Sequence, residues 1–451
     1  MDIIQILDEL SKKIVISLSN NIYNGTYKYT LNRYRDTLRQ IVLQSEYKTI
    51  ITNEIIDNYL INKMQTEYVH HIKNMISSIE KIPIVEQKSP EWFRLREDMI
   101  SASDAGYFLK KCGISRAIET LKIKLGLKNY VNSSAPPLMH GNTYEDVARA
   151  IYESRNKVSV FEHGILQSAT NFIGASPDGI VVQCHDSSFE CQSKYGRLLE
   201  IKNPYSREID NDVKPEYMVQ ILQQQYTTWL PICDFLELTI VDKYCKSANP
   251  NYKPYNTLED MLNDKLDITN PSWLTRVKNK NIPSENLNKF GNEKGLVVWY
   301  QKIISNNDIR NKYIHYPLQN KYDSRMIEKW IVDTNSKQFE NGFVSKEIKY
   351  WRLDVYSEKT VVYDQQKYEN EYIPQLGDVW KIVLKCRELQ AKGEDIEKYI
   401  EDLENRKDSP FYNENKRKKK IKTISTSSNI SSSISTSISS IQNTNEIELD
   451  F

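Results

Sequence analysis

Apolar residues at Ile3, Ile6, Leu7, Leu10 and Ile14 recur every three or four positions, the spacing of one face of an amphipathic helix. Through residue 85 the only helix breakers are Gly25 and Pro83, so residues 1–85 are predicted to form a helical N-terminal extension. Ser89, Pro90 and Glu91 then mark a fresh helix start, with proline at a first-turn position where its missing N–H costs nothing. Tyr144, Val147, Ala148 and Ile151 form the next apolar stripe at helical spacing.

Beyond residue 158 the period changes. Short apolar runs at 172–175, 180–182 and 198–201, separated by turn residues, predict strands across 159–201. A helix is expected over 215–229 and a strand over 234–241. Periodicity weakens through 246–345, where Asn, Lys and Pro are scattered, and this stretch is read as an inserted lobe. Strands return at 349–356 and 360–363, followed by a charged helix at 379–403. The expected organisation is a helical extension (1–85), a core (86–245), the inserted lobe (246–345), a return of the core with a C-terminal helix (346–404), and a basic, Ser-rich tail (405–451) too poor in apolar residues to offset its ordering entropy.

Composition narrows the function classes. With 451 residues and a formal charge of +1, the chain can build a sizeable core but has no global basic signature, so any nucleic-acid contact must come from local patches. Lys416, Arg417, Lys418, Lys419 and Lys420 form one such patch, compatible with a nuclear localisation signal, with a non-specific DNA contact or with a solvated tail. The six cysteines lack any Cys-x-x-Cys pair, which argues against zinc ribbons and a disulfide framework and favours a reducing intracellular compartment. Cys184, His185 and Cys191 cluster in sequence, but a structural metal there lacks a fourth ligand. No run approaches the ~18 apolar residues of a membrane span.

Candidate chemistry lies at Ser176-Pro177-Asp178-Gly179 and Leu199-Glu200-Ile201-Lys202. On a strand, Glu200 and Lys202 share one face while Ile201 points to the other. A hairpin joining the Asp178 strand to the Glu200 strand would set two carboxylates side by side, a pair that resists joint ionisation unless a cation lies between them. Hard oxygen donors suit Mg²⁺ or Mn²⁺. Lys202 can then orient a water or offset developing charge. Taken singly, Pro-Asp-Gly is a common turn and Glu-x-Lys a common solvated face. Glu145 can add a carboxylate, although Asn142 three residues earlier also fits a helix N-cap partnered by Glu145. Gln220 and Gln224 share a helix face at i, i+4. Trp92, Arg94 and Arg96, followed by Ser101, Ser103 and Asp104, offer phosphate donors or an ordinary surface helix with its cap.

At these motifs the chain resembles the YqaJ-like viral recombinase and phage lambda exonuclease family of the PD-(D/E)xK nuclease superfamily, in the extended layout carried by large DNA viruses. The likeness runs over residues 90–104, 140–152, 174–207 and 217–229, with a weaker echo at 350–383. It implies an α/β fold with a mixed central sheet flanked by helices. It implies Mg²⁺ (or Mn²⁺) held by Asp178, Glu200, the Ile201 backbone carbonyl and Glu145, with Lys202 and Gln220 assisting. The 5′-phosphate of the digested strand falls to Arg96, Ser103 and Ser176, with Arg207 a looser match across a loop of different length. The expected activity is a divalent-metal deoxyribonuclease, a 5′-to-3′ exonuclease on double-stranded DNA ends serving viral recombination, repair or genome processing in the host cytoplasm, viral factory or nucleus. A structure-specific endonuclease on the same site and a catalytically inactive DNA-binding or scaffold protein remain alternatives. A single-strand annealing partner and an oligomer are left open, and the long 178–200 connection, the 246–345 segment and the extended termini depart from the compact phage enzyme.

Overall fold

The computed structural model describes residues 2–11, 31–63, 69–85, 89–128, 135–210, 212–245, 254–263, 293–305, 308–320 and 323–412. The basic run at 416–420 and the Ser-rich tail lie outside them. The chain divides into two compact units, one of Met1–Ala105 with Tyr130–Glu371 and the other of Gly106–Asn129 with Tyr372–Phe451.

The first unit is built on two sheets. A small one pairs β1 (Ile100–Ser101) in parallel with β4 (Ile173–Ala175), which also pairs with β3 (Leu166–Gln167). The large sheet has the order β2-β5-β6-β7-β10-β8-β9, from β2 (Val158–Phe161), β5 (Gly179–Cys184), β6 (Leu198–Lys202), β7 (Ile232–Val241), β8 (Lys294–Ser305), β9 (Asp308–His315) and β10 (Val344–Val362). Only β6 and β7 run parallel, and the rest are antiparallel. The expected mixed α/β architecture is therefore present. Its β5–β6 pairing aligns Gly179 with Leu199, which brings the Asp178 turn against the Glu200 strand as a hairpin register requires.

Alternation along β6 sorts its side chains between two layers. Leu198 joins a core with Ile221 and Phe235 and with Leu7, Leu38 and Ile56 from the N-terminal helices. Leu199 and Ile201 join the opposite core with Tyr144, Val147 and Ile151 of the helix Pro136–Asn156. The helix Pro215–Thr228 covers the first layer, the face that also carries Glu200. Glycine is required at 174: a Cβ there would lie 2.0 Å from Met99 Sδ and 2.9 Å from the Leu166 carbonyl oxygen. Gly174→Ala is expected to destabilise the unit by about 1–3 kcal/mol, read as a lowered denaturant midpoint, because the backbone carbonyl cannot yield as a side chain can.

Several elements differ from their sequence-based expectation. The strands foreseen at 349–356 and 360–363 are one strand of 19 residues, β10, whose first half pairs with β8 and second half with β7. Part of the stretch read as an inserted lobe, β8 and β9, thereby extends the same sheet. The helix bearing Glu145 starts at Pro136, so Asn142 is interior and does not cap it. In the second unit the charged helix foreseen over 379–403 is two helices, Ile373–Ala391 and Ile396–Asn405, interrupted where Gly393 takes φ +75°. That unit is tied together by Phe108 edge-on to Phe411 and by a Gln390 side-chain bond to the Leu125 carbonyl. Among the described residues no helix is long and apolar enough to cross a membrane.

Candidate active site

Asp178 sits between β4 and β5, where the proline and glycine around it turn the chain. Its Oδ2 accepts from the Ile201 backbone N–H at 2.6 Å, pinning the turn to the middle of β6. Desolvation, followed by the Glu200 and Glu145 carboxylates, pushes the Asp178 carboxyl well above the usual range. The Glu145 carboxyl is raised as well, first by burial and then by Asp146 and Glu162, with Arg149 and Lys202 opposing. Glu145, midway along its helix, and Asp178, at its turn, thus feel one electrostatic site with Glu200 and Lys202.

Glu200 is fully buried. One of its oxygens accepts from Lys202 Nζ and the other from Gln224 Nε2 at 2.6 Å. Burial opposes the charge on Lys202, but Glu200 and Asp178 outweigh it, so the ammonium is held above its ordinary value and stays charged. Its Nζ also lies 5.2 Å from the centre of the Tyr217 ring. This is a cluster of acids, Glu200 buried and Asp178 and Glu145 half-buried, with Lys202 and Arg149 as neighbouring cations, and a divalent ion is the group that such a hard-oxygen donor set fits.

Three successive glutamines of the 215–228 helix tie the site to its surroundings. Gln223 Nε2 donates to the Ile100 and Gly174 carbonyls, both at 2.8 Å, clamping β1 to β4, and Tyr368 donates to its Oε1 at 3.0 Å. Gln224 reaches Glu200, and Gln225 Nε2 bonds the Pro231 and Val361 carbonyls at 2.9 and 3.0 Å. Gln220 lies half-buried one turn before Gln224 on the same face. Gln224, paired with Gln220 by spacing alone, is the one that touches a candidate ligand.

A second polar cluster opens from the small sheet. Arg96, from the helix Pro90–Glu97, donates to Ser101 Oγ at 2.9 Å and to Ser103 Oγ at 3.1 Å, and the two hydroxyls lie 3.1 Å apart. The Asp104 carboxylate is 3.6 Å from the guanidinium, which also covers the Trp92 ring at 4.7 Å. The β1–β4 register sets Ser101 beside Gly174, two residues before half-buried Ser176 and four before Asp178. Ser101, buried on its two-residue strand, joins Ser103 in this cluster. Arg207 is ion-paired with Glu237, the β7 residue in register with Lys202. The Cys184 and Cys191 thiols each donate to a backbone carbonyl, of Cys191 and Lys157 respectively.

Residues 91–230 match the YqaJ-like viral recombinase domain family, so the likeness read from the motifs holds over that span. Over 355 residues the chain is 30% identical to an uncharacterized protein of Acanthamoeba polyphaga mimivirus, an alignment covering 74% of this chain and 59% of that protein. Among solved structures, the alkaline exonuclease LHK-Exo of Laribacter hongkongensis is 24% identical with a TM-score of 0.27, over 34% of this chain and 74% of that one. Its complex with dAMP is 26% identical with a TM-score of 0.27, over 33% and 73%.

Proposed function

We propose that the chain is a divalent-metal-dependent deoxyribonuclease that digests double-stranded DNA from its ends in the 5′-to-3′ direction. The observation that carries this reading is the Asp178 carboxylate bonded to the Ile201 backbone N–H, between Glu200 and its ion-pair partner Lys202, with Glu145 among the charges that raise Asp178. The match of residues 91–230 to a viral recombinase domain supports it. Asp178, Glu200, Glu145 and the Ile201 carbonyl would hold Mg²⁺ or Mn²⁺, which supplies an acidified water and a counter-charge for the phosphate when bound.

The protein's own residues do the rest. Gln224 fixes one Glu200 oxygen, so the carboxylate presents a set orientation. Lys202 carries a retained positive charge beside it, placed to hold the nucleophilic water or to stabilise negative charge growing on the phosphate. Gln220, with a donor and an acceptor on one amide, stands one turn away to bridge water and phosphate.

Direction comes from the second cluster. Arg96 with Ser101 and Ser103 concentrates donors that a terminal 5′-phosphate can take, while Asp104 offsets the arginine's charge when no phosphate is present. Ser176, on the segment leading to Asp178, links this pocket to the site of cleavage.

The test is digestion of end-labelled duplex with Mg²⁺. Wild type should shorten linear duplex from its ends and leave covalently closed circles intact, and Lys202→Ala should not digest at all. Equal degradation by the two proteins overturns the mechanism, and cutting of closed circles makes the enzyme an endonuclease. Losing the charge-assisted contacts of Arg96 removes about 1.5–3 kcal/mol per bond, so Arg96→Ala should erase a roughly 10- to 100-fold preference for 5′-phosphorylated over 5′-hydroxyl ends. The ratio of initial rates on the two substrates measures it, and an unchanged ratio removes Arg96 from the pocket.

A further inference from the structure

Three side chains that the proposed chemistry does not use meet where β7 ends. His140 lies on the helix Pro136–Asn156, and Asp242 and Cys245 follow β7 directly. Their ligand atoms lie within 4.8 Å of one another. His140 and Asp242 are buried, at 4% and 2% exposure, and Cys245 is half-buried. We propose that His140, Asp242 and Cys245 form a zinc site, separate from the Glu145, Asp178 and Glu200 cluster, that ties the helix carrying Glu145 to the end of β7.

The donors are an imidazole, a carboxylate and a thiol, the set that borderline-soft Zn²⁺ accepts, with a fourth position left for water. His140 Nδ1 stands 3.3 Å from Cys245 Sγ. Tetrahedral zinc with ordinary bond lengths holds nitrogen and sulfur about 3.5 Å apart, so this edge already has the size a zinc ion needs. His140 Nε2 is buried with no hydrogen-bond partner, so one ring nitrogen faces sulfur and the other is bare. With zinc on Nδ1, Nε2 would carry the ring proton and donate it to a water that the protein itself does not supply.

The surroundings resemble the support that metal ligands receive elsewhere. Tyr144 donates to Asp242 Oδ2 at 2.6 Å, and the Tyr244 backbone N–H donates to Oδ1 at 2.7 Å, which fixes the carboxylate while leaving lone pairs on both oxygens. Tyr144 and Tyr205 pack edge-on against the imidazole, with centroids at 4.8 and 5.5 Å, and fix its orientation. Tyr205 is itself anchored through its hydroxyl to the Tyr244 carbonyl at 3.0 Å.

Protonation is compatible with ligation. Burial pushes the His140 imidazole down to about 4, against Asp242 and helped by Lys349, so the ring is neutral and its lone pair available near pH 7. Burial and then Asp242 push the Cys245 thiol up to about 12, so binding must displace one proton to solvent. Carboxylate and thiolate together neutralise the dication. Lys349 opposes it, yet its ammonium is shared between the Tyr244 and Trp299 rings at 5.2 and 5.7 Å.

Cobalt(II) is the probe, because thiolate ligation gives a near-ultraviolet charge-transfer absorption that oxygen donors do not. Chelator-treated full-length protein should develop that absorption at one equivalent of Co²⁺ and lose it when Zn²⁺ is added. Asp178→Asn and Cys112→Ser should behave as wild type, which separates this site from the carboxylate cluster and from an exposed thiol. His140→Gln and Cys245→Ser should lose the absorption, and their zinc affinity should fall by more than the about 10- to 100-fold that disturbing a residue behind a ligand costs. Absence of the absorption in wild type, or its persistence in Cys245→Ser, overturns the proposal. If either variant fails to fold, alkylation of wild type mapped by mass spectrometry decides the question. Zn²⁺ must slow modification of Cys245 selectively, and equal rates with and without zinc overturn the site.

Discussion

Glu200→Gln is expected to lower DNA hydrolysis by about 10²–10³-fold or more, the scale of losing one preorganised charged group at a reacting centre. Glu200 is fully buried, and its oxygens are divided between Lys202 and Gln224. The substitution keeps the shape and deletes the charge, so one ligand for the divalent ion is weakened and Lys202 loses its nearest anion. Folding should survive the change. Gln224 now donates through Nε2 while its Oε1 has no partner, so turning that amide offers an acceptor to the new side-chain NH₂. Asp178 remains to face Lys202. Initial rates on labelled duplex, alongside thermal unfolding, separate the two effects. Activity within tenfold of wild type would remove Glu200 from the chemistry, and a collapsed unfolding transition would make its role structural.

The same residues explain why so much of the candidate site was legible in the sequence. A Pro-Asp-Gly turn and a Glu-x-Lys strand are local signals, since the turn fixes its own geometry and the period of two fixes which side chains share a face. Their pairing then needed only the β5–β6 register, with Gly179 against Leu199. Distances along the chain did not decide everything. Gln220 and Gln224 are equivalent by helical spacing, and only the placement of that helix over β6 selects Gln224 as the partner of Glu200. Asn142 and Glu145 made a plausible capping pair, but two prolines at 136 and 137 began the helix earlier. The stretch after residue 245 hid β8 because its partner, β10, lies 43 to 58 residues further along the sequence, and β9 joins the sheet only through β8. Non-local pairing leaves little trace in a local pattern.

Tyr152, Lys194, Arg197, Asp234 and Thr360 illustrate the least legible class, a buried ionic network assembled from distant segments, and Asp234→Asn is expected to cost about 3–5 kcal/mol of folding stability at neutral pH. Asp234 is fully buried in β7. It accepts from Lys194 at 2.7 Å, Arg197 at 2.9 Å, the Tyr152 hydroxyl at 2.8 Å and Thr360 at 2.9 Å. Burial alone would raise its pKa, but Arg197 and Lys194 overcome that and hold the carboxyl well below its usual value. The unfolded chain therefore binds this proton at higher pH than the native one does, so the carboxylate contributes its full stabilisation above the ordinary aspartate pKa of about 3.9 and loses it as pH falls toward the depressed native value. Asparagine keeps the size but leaves Arg197 and Lys194, with side chains only 14% and 12% exposed, short of an anion. Glu358 still faces Lys194, so Arg197 carries most of the penalty. Denaturant midpoints measured from pH 7 downward should show a wide gap between the two proteins at neutral pH that narrows below about pH 4, where wild type forfeits the same carboxylate charge. A gap under about 1 kcal/mol at pH 7, or one that stays constant through the acid range, would mean that packing and not this charge holds β6, β7 and β10 together at that point.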